Sequence, residues 1–182
     1  MRKYALLVVD VQTGLVNDEL YNKEMVIQNI KMLIATARKS SIEVIYVRHD
    51  DGEGETLAHG TDQWKIYHEI TPNVDEKIVD KKYNSAFFKT DLKSCLDKKH
   101  IDTLIVTGMQ TEYCMDATVK SAFDSEYEVI IPEQTNSSAD NAFLSGKNLY
   151  AFYNFSIWHN RFAKVVPLDD VTRLIKESKK EI

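Results

Sequence analysis

Three residues with the chemistry of a base, a cation and a nucleophile each follow a short apolar run in the sequence. Asp10 follows the run YALLVV, Lys81 follows a shorter run at 77–79, and Cys114 comes soon after the run TLIVT. A cysteine attacks carbon as its thiolate, and a carboxylate and an ammonium can move its proton and balance its charge. One interpretation of this pattern is therefore nucleophilic catalysis by a cysteine.

Each of these residues also has a purely structural interpretation. The start of a helix favours a thiolate and offers unpaired backbone N–H groups, but a buried Cys114 can equally pack as an inert apolar residue. Asp10 is either a base tuned by burial and a nearby cation, or a strand-end carboxylate that caps the next turn. Lys81 has an equally basic neighbour, Lys82, and Cys95 lies in the middle of a predicted helix, where we expect it to be structural.

The elements that must position these residues follow from the alternation of short apolar runs with helical patterns, which is typical of an α/β fold. Strands are predicted at 4–9, 42–47, 77–79, 103–107, 128–131 and 163–166, and helices at 24–39, 90–99, 111–123 and 168–179. We expect a three-layer α/β/α Rossmann-like fold with a six-stranded, mostly parallel sheet in the order 3-2-1-4-5-6. This order brings the three candidate residues to the carboxyl edge of the sheet, where ligands bind in such folds.

The composition predicts one globular domain that covers residues 1–182, because 43% of the residues are hydrophobic and 28% are charged. The net charge of −5 argues against nucleic acid as a partner, and no apolar run approaches the roughly 18 residues of a membrane span. Two cysteines are too few for a disulfide framework, so we expect a cytoplasmic location. Asn136 and Asn154 begin glycosylation sequons, which have little meaning without a secretion signal.

Five histidines raise a metal site as a further hypothesis. The best candidate is the His49-Asp50-Asp51 segment that ends the second predicted strand, with His59 or His68 as distant partners. No pair has the tight spacing of a strong zinc motif, and a glycine-rich phosphate-binding motif is also missing from the sequence. We therefore predict neither a metal nor a cofactor.

Three segments of the chain carry a resemblance to a known family. ALLVVDVQTGL, DKKYNSAFFKTDL and VTGMQTEYCMDAT each follow a predicted strand. Together they resemble the isochorismatase-like cysteine hydrolases, a family that includes nicotinamidases and N-carbamoylsarcosine amidase, and the resemblance extends over essentially the whole chain. It implies hydrolysis of a small amide or related C–N bond through a thioester intermediate.

The resemblance also assigns catalytic roles to individual residues. It implies that Asp10 takes the thiol proton and later returns it to the leaving group, while Lys81 stabilises the thiolate. Cys114 would attack the carbonyl carbon. Lys81 is preferred to Lys82 because the family's lysine lies two residues before the tyrosine, here Tyr83.

Further site features follow from the same resemblance. A cis peptide bond is expected between Met109 and Gln110, and an oxyanion hole from the backbone N–H groups of Gln110 and Cys114. Losing one such donor typically raises the barrier by about 3 kcal/mol. The side chains suggested for the wall of the substrate pocket are Gln12, Leu15, Trp64 and Tyr113.

Two differences from the relatives reduce the range of substrates that we expect for this chain. Nicotinamidases carry an Asp-x-His metal pattern where this chain has Arg48-His49-Asp50, and an aromatic residue near the position of Leu15. Isochorismatases usually lack the cysteine, so Cys114 favours another small amide as the substrate.

Two questions stay open on the sequence alone. The alternative to an enzyme is a non-catalytic small-molecule-binding or scaffold protein with the same fold. The resemblance also implies a homo-oligomer, a dimer or a tetramer. The aromatic run that we expect in the core or at a subunit interface is Tyr150, Phe152, Tyr153, Phe155 and Trp158.

Overall fold

The sheet in the computed structural model, which describes residues 2–178, has seven parallel strands. In chain order they are β1 (Tyr4–Val9), β2 (Glu43–His49), β3 (Lys77–Lys81), β4 (Thr103–Met109), β5 (Glu128–Pro132), β6 (Asn136–Ser137) and β7 (Lys164–Val166). Their order across the sheet is β3-β2-β1-β4-β5-β7, and β6 pairs with the last two residues of β4.

The helices connect these strands and cover the sheet. They are α1 (Lys23–Lys39), α2 (Leu92–Lys98), α3 (Asp116–Asp124), α4 (Gly146–Ala151) and α5 (Leu168–Ser178). A short 3₁₀ turn and two wide, π-helical turns complete the regular structure, at His68–Ile70, Thr111–Met115 and Phe152–Trp158. Among the described helices, none is both long enough and apolar enough to cross a bilayer.

The central strand β1 shows why the fold has three layers. Ala5, Leu7 and Val9 pack into the core that α2 and α3 cover. Leu6 and Val8 point to the opposite core, which α1 and α5 cover. Because successive side chains alternate between the two faces of a strand, a strand covered on both sides must be apolar throughout.

The predicted fold class and strand order are confirmed, with one strand more than expected. The sixth predicted strand is β7, and β6 was missed because two residues carry no readable hydrophobic period. The helix predicted at 111–123 begins as the wide turn Thr111–Met115 and becomes α-helical at Asp116. The last helix was predicted to end at Lys179, which lies outside the described residues.

Candidate active site

Asp10 is the first residue after β1, and its backbone has an unusual conformation. Its φ of 50° lies in the left-handed region, which costs a residue with a Cβ roughly 1–2 kcal/mol. The neighbouring strand holds this turn, since the N–H of Asp10 donates to the carbonyl oxygen of Val47 at 3.0 Å. The Asp10 carboxylate is fully buried at the carboxyl edge of the sheet.

A close approach of β4 to β1 supports the turn at Asp10. Gly108 is paired in register with Val9 and has a φ of +135°. A Cβ at this position would lie 1.9 Å from the carbonyl oxygen of Val9. Only a glycine therefore lets the end of β4 come this close to the residue that precedes Asp10.

Lys81, the last residue of β3, reaches across β2 to form a buried ion pair with Asp10. Its Nζ lies 2.6 Å from Asp10 Oδ2, and both side chains have no exposed surface. Removing one partner of such a pair leaves an uncompensated buried charge, which typically costs about 3–5 kcal/mol. Lys82 points away, with 73% of its side chain exposed and Nζ 3.7 Å from Asp50 Oδ2. The structure thus brings Lys81, and not Lys82, to the site.

Cys114 completes the cluster from the wide turn that follows β4. Its Sγ accepts a hydrogen bond from Lys81 Nζ at 3.2 Å, and it lies 3.8 Å from Asn84 Oδ1. The thiol is also close enough to hydrogen-bond to the Asp10 carboxylate. Apart from the thiol and Lys81, no donor among residues 2–178 reaches that carboxylate. The three residues that the sequence singled out therefore meet in one buried cluster.

The electrostatics of this cluster favour a protonated thiol. Burial, and next the negative charge of Asp10, raise the pKa of the Cys114 thiol to about 12, although Lys81 opposes them. Burial also raises the pKa of Asp10, against the lowering effect of the Lys81 ammonium. These effects oppose the stabilisation of a thiolate that the start of a helix offers. Instead, the arrangement suits a thiol that gives its proton to Asp10 as it attacks.

The turn that carries Cys114 has the predicted cis peptide bond between Met109 and Gln110. The carbonyl oxygen of Gln110 accepts hydrogen bonds from the N–H groups of Tyr113 and Met115, at 3.1 and 3.2 Å. These two bonds fix the turn around Cys114. The role of the Gln110 and Cys114 N–H groups as an oxyanion hole stays a prediction.

A buried amide pair that sequence reasoning missed anchors the same turn. Thr111 Oγ1 donates to Asn136 Oδ1 at 2.9 Å, and the side chains of Asn136 and Asn154 exchange two hydrogen bonds of 3.0 Å each. All three side chains are fully buried, so neither sequon asparagine can accept a glycan in the folded protein. The two polar sequons were the available signal, but sequence alone does not place them beside Thr111.

The predicted pocket residues have different environments. Gln12 is fully buried, and its Nε2 donates to the carbonyl oxygens of His49 and Trp64, at 2.9 and 2.8 Å. The Gln12 amide therefore links two chain segments, and its hydrogens are not free to bind a substrate. Trp64 is buried under the guanidinium of Arg48, which lies 3.5 Å from the ring centroid, and its Nε1 has no partner.

The two other predicted wall residues are less buried. Leu15 is half-buried, and Tyr113, which precedes Cys114, has 51% of its surface exposed. Their contact with a substrate stays a prediction. Asn84 was not predicted, although it lies in the segment that carried the resemblance and its Oδ1 faces the Cys114 sulfur.

The histidine chosen as the best metal candidate lies inside the cluster. His49 Nδ1 is 2.9 Å from Lys81 Nζ, and its Nε2 is 3.1 Å from Asp51 Oδ1. The positive charge next to the His49 ring is thus that of the Lys81 ammonium. The distant partners lie elsewhere, since the ring of His59 packs on Trp64 and that of His68 on its neighbour.

Comparison with known sequences places the chain in a family. A family model for the isochorismatase domain matches residues 4–164. Streptothricin hydrolase of Streptomyces noursei is 30% identical over 75% of this chain, but the match spans only 50% of that protein. The isochorismatase family protein YddQ of Bacillus subtilis is 32% identical over 68% of this chain and 71% of its own length. Ureidoacrylate amidohydrolase of Yersinia enterocolitica is 27% identical over 85% of this chain and 84% of its own.

Solved structures agree with this assignment. A cysteine hydrolase of Pseudomonas syringae superposes with a TM-score of 0.87 at 26% identity, over 97% of this chain and 93% of that one. N-carbamoylsarcosine amidase of Thermoplasma acidophilum gives a TM-score of 0.75 at 25% identity, over 92% of this chain and 97% of that one. The match of the family model, together with these likenesses, shows that this chain is a member of the isochorismatase family of hydrolases.

Proposed function

We propose that this protein hydrolyses the C–N bond of a small amide, with Cys114 as the nucleophile. The observation that carries the proposal is the position of the Lys81 ammonium, which contacts Asp10 Oδ2 at 2.6 Å and Cys114 Sγ at 3.2 Å in a buried cluster. A buried carboxylate, ammonium and thiol are costly to bring together, so their convergence favours a catalytic role over a packing role.

The proposed reaction has two halves, and Asp10 moves one proton in each. As Sγ of Cys114 bonds to the carbonyl carbon, the thiol proton passes to Asp10. The C–N bond then breaks, and the leaving nitrogen takes that proton, which leaves a thioester. Water attacks the thioester, gives a proton to Asp10, and releases the acid product as the thiol is restored. Lys81 keeps its proton throughout and holds both partners in place.

The raised pKa values fit this role for Asp10. A carboxylate whose pKa is raised by burial is a stronger base than an exposed one. The raised pKa of Asp10 therefore lies closer to the pKa of the thiol whose proton it takes. The thiol stays protonated until a substrate arrives, which protects it from unwanted oxidation. Because two cysteines are too few for a disulfide framework, we also propose that the protein acts in the cytoplasm.

The names of two similar proteins suggest which amides to test first. Ureidoacrylate amidohydrolase and N-carbamoylsarcosine amidase are both named for compounds with a carbamoyl group on nitrogen. We therefore propose N-carbamoyl amino acids as the first substrate class, followed by simple carboxamides. Leu15, Trp64 and Tyr113 are the proposed wall of the pocket.

The test is release of ammonia or amine from this panel by the purified protein. We expect Cys114→Ala to lower turnover by at least about 10³-fold, because the nucleophile is lost. Cys95→Ala is the matched control, since Cys95 lies in α2 and only partly packs against the core, and it should keep full activity. Mass spectrometry of the wild type mixed rapidly with substrate should detect the thioester on Cys114.

Two results would contradict the proposal. Turnover that survives in Cys114→Ala would exclude Cys114 as the nucleophile. A wild type that binds members of the panel without releasing ammonia or amine would favour the alternative of a non-catalytic binding protein.

A further inference from the structure

The Lys81 ammonium has a third partner besides Asp10 and Cys114. His49 Nδ1 lies 2.9 Å from Lys81 Nζ, against 2.6 Å for Asp10 Oδ2 and 3.2 Å for Cys114 Sγ. An ammonium has three hydrogens and no lone pair. Lys81 Nζ hydrogen-bonds to His49 Nδ1 and Cys114 Sγ, and Asp10 Oδ2 is its ion-pair partner, in a place where the lysine side chain has no exposed surface.

This contact fixes the protonation of His49. Because Lys81 can only donate, Nδ1 must be the unprotonated ring nitrogen, and the ring proton is on Nε2. Asp51 Oδ1 lies 3.1 Å from Nε2, on the side of the ring away from Lys81's contact with Nδ1. Burial and the nearby ammonium both lower the pKa of His49, which keeps the ring neutral.

The backbone around His49 is held on both sides. His49 is paired in register with Lys81 between β2 and β3, and the N–H of Asp50 donates to the Lys81 carbonyl oxygen at 2.9 Å. The Gln12 amide accepts from the His49 N–H at 2.7 Å and donates to the His49 carbonyl oxygen at 2.9 Å. The end of β2 thus has little freedom to move relative to Lys81.

We propose that His49, oriented by Asp51, is a positioning residue that holds the Lys81 ammonium between Asp10 and Cys114. Without His49, the Lys81 ammonium, whose side chain has no exposed surface, would lose one of its two hydrogen-bond acceptors. The ammonium would then turn, at the expense of its contact with the sulfur or with the carboxylate. The groups facing Lys81 are Asp10 from the end of β1, His49 from β2 and Cys114 from the wide turn.

The two acidic residues that follow His49 in the chain make different contacts. Asp51 contacts the ring, while Asp50 is paired with Lys82 and accepts the N–H of Gly52 at 3.0 Å. The consequence of the His49 contact for turnover rests on the proposed function, but its consequence for the Lys81 ammonium does not.

Two variants of His49 test the proposal directly. Asn can place an oxygen where Nδ1 now lies, so His49→Asn keeps an acceptor for Lys81, whereas His49→Leu keeps bulk and removes the acceptor. Proton–nitrogen spectra selective for lysine ammonium groups follow the hydrogen exchange of Lys81, whose signal is assigned by its loss in Lys81→Met. We expect exchange to become about 10- to 100-fold faster in His49→Leu. It should stay close to the wild-type rate in His49→Asn, and the exposed Lys82 serves as the internal reference.

Turnover gives the second readout. We expect kcat to fall about 10- to 100-fold in His49→Leu with little change in KM, as is common when an outer partner of a functional group is lost. His49→Asn should keep most of the wild-type kcat. Asp51→Ala should cause a smaller loss in the same direction, because it leaves the ring in place but releases its orientation.

Several outcomes would overturn the inference. Unchanged Lys81 exchange in His49→Leu would show that the His49 acceptor is not needed. Equal effects in His49→Leu and His49→Asn would show that an acceptor at this position does not hold the ammonium. If the wild type hydrolyses no amide but Lys81 exchange still depends on the acceptor, the positioning role holds and the proposed function fails.

Discussion

At the residue scale, the dominant feature of the site is the pair of opposite charges, Asp10 and Lys81, beside the Cys114 thiol. Asp10 raises the pKa of Cys114, and Lys81 lowers it. We therefore predict that Asp10→Asn makes alkylation of Cys114 by iodoacetamide at least about tenfold faster at mildly alkaline pH, because removing the carboxylate lowers the thiol pKa. Turnover in the same variant should fall by about 10²–10⁴-fold, because the base is lost. Peptide mass spectrometry measures alkylation, with Cys95 as the internal control.

Lys81→Met is the matched control of opposite sign. Removing the ammonium leaves the thiol beside a carboxylate with nothing to oppose it, so alkylation should become slower than in the wild type. In the wild type, where the pKa is about 12, alkylation should rise steeply only in the strongly alkaline range. A thiol that reacts more slowly after Asp10→Asn would show that the carboxylate activates it in the free protein.

Single residues also show how far a sequence predicts a site. Asp10, Lys81 and Cys114 are predictable, because parallel strands share a carboxyl edge and each residue lies at or soon after the end of a strand. The sign of the thiol pKa shift is not predictable, since it depends on whether burial and Asp10 outweigh Lys81 at the actual distances. The contact between His49 and Lys81 depends on the β2–β3 register, which the sequence does not fix.

At the scale of elements, the six longer strands and their order were predictable from the alternation of apolar runs and helical patterns. The misses are short or irregular elements. β6 has two residues, and the wide turn at Thr111–Met115 has the same residue types as an ordinary helix start. Such elements form because of tertiary contacts, here the amide pair of Asn136 and Asn154, and not because of local propensity.

The contact between the ends of β1 and β4 gives a prediction on stability. Gly108→Ala should lower the free energy of unfolding by at least about 3 kcal/mol, because its Cβ would collide with the Val9 carbonyl and strain the backbone. Gly54→Ala is the control, since Gly54 also has a positive φ, of +86°, but no atom lies within 4 Å of its Cβ position. That variant should lose only roughly 1–2 kcal/mol.

Urea denaturation of the two glycine variants and the wild type makes this comparison. Both alanines would have to take a positive φ, but only the one at position 108 would meet another atom, so the larger loss is expected there. Equal losses in Gly108→Ala and Gly54→Ala would mean that β4 can move away from β1 without cost.

At the scale of the whole molecule, the aromatic run at 150–158 is buried in the core in part and exposed to solvent in part. Tyr150 and Trp158 are buried in the chain's own core, as one of the two sequence interpretations requires. Phe152 and Phe155, three residues apart in the wide turn, keep 48% and 51% of their surface exposed. Neighbouring half-exposed phenylalanines form an apolar surface of the kind that subunit interfaces cover.

The last prediction is that this surface joins copies of the chain into a dimer or a tetramer. Light scattering over a range of concentrations should give a mass above that of one chain. Phe155→Ser should raise the dissociation constant by at least about tenfold, because an aromatic side chain is lost from the contact. Phe143→Ser is the control, since Phe143 is 92% exposed but lies outside this turn, and it should leave the mass unchanged. A monomeric wild type, or an equal effect of both variants, would contradict an interface at Phe152 and Phe155.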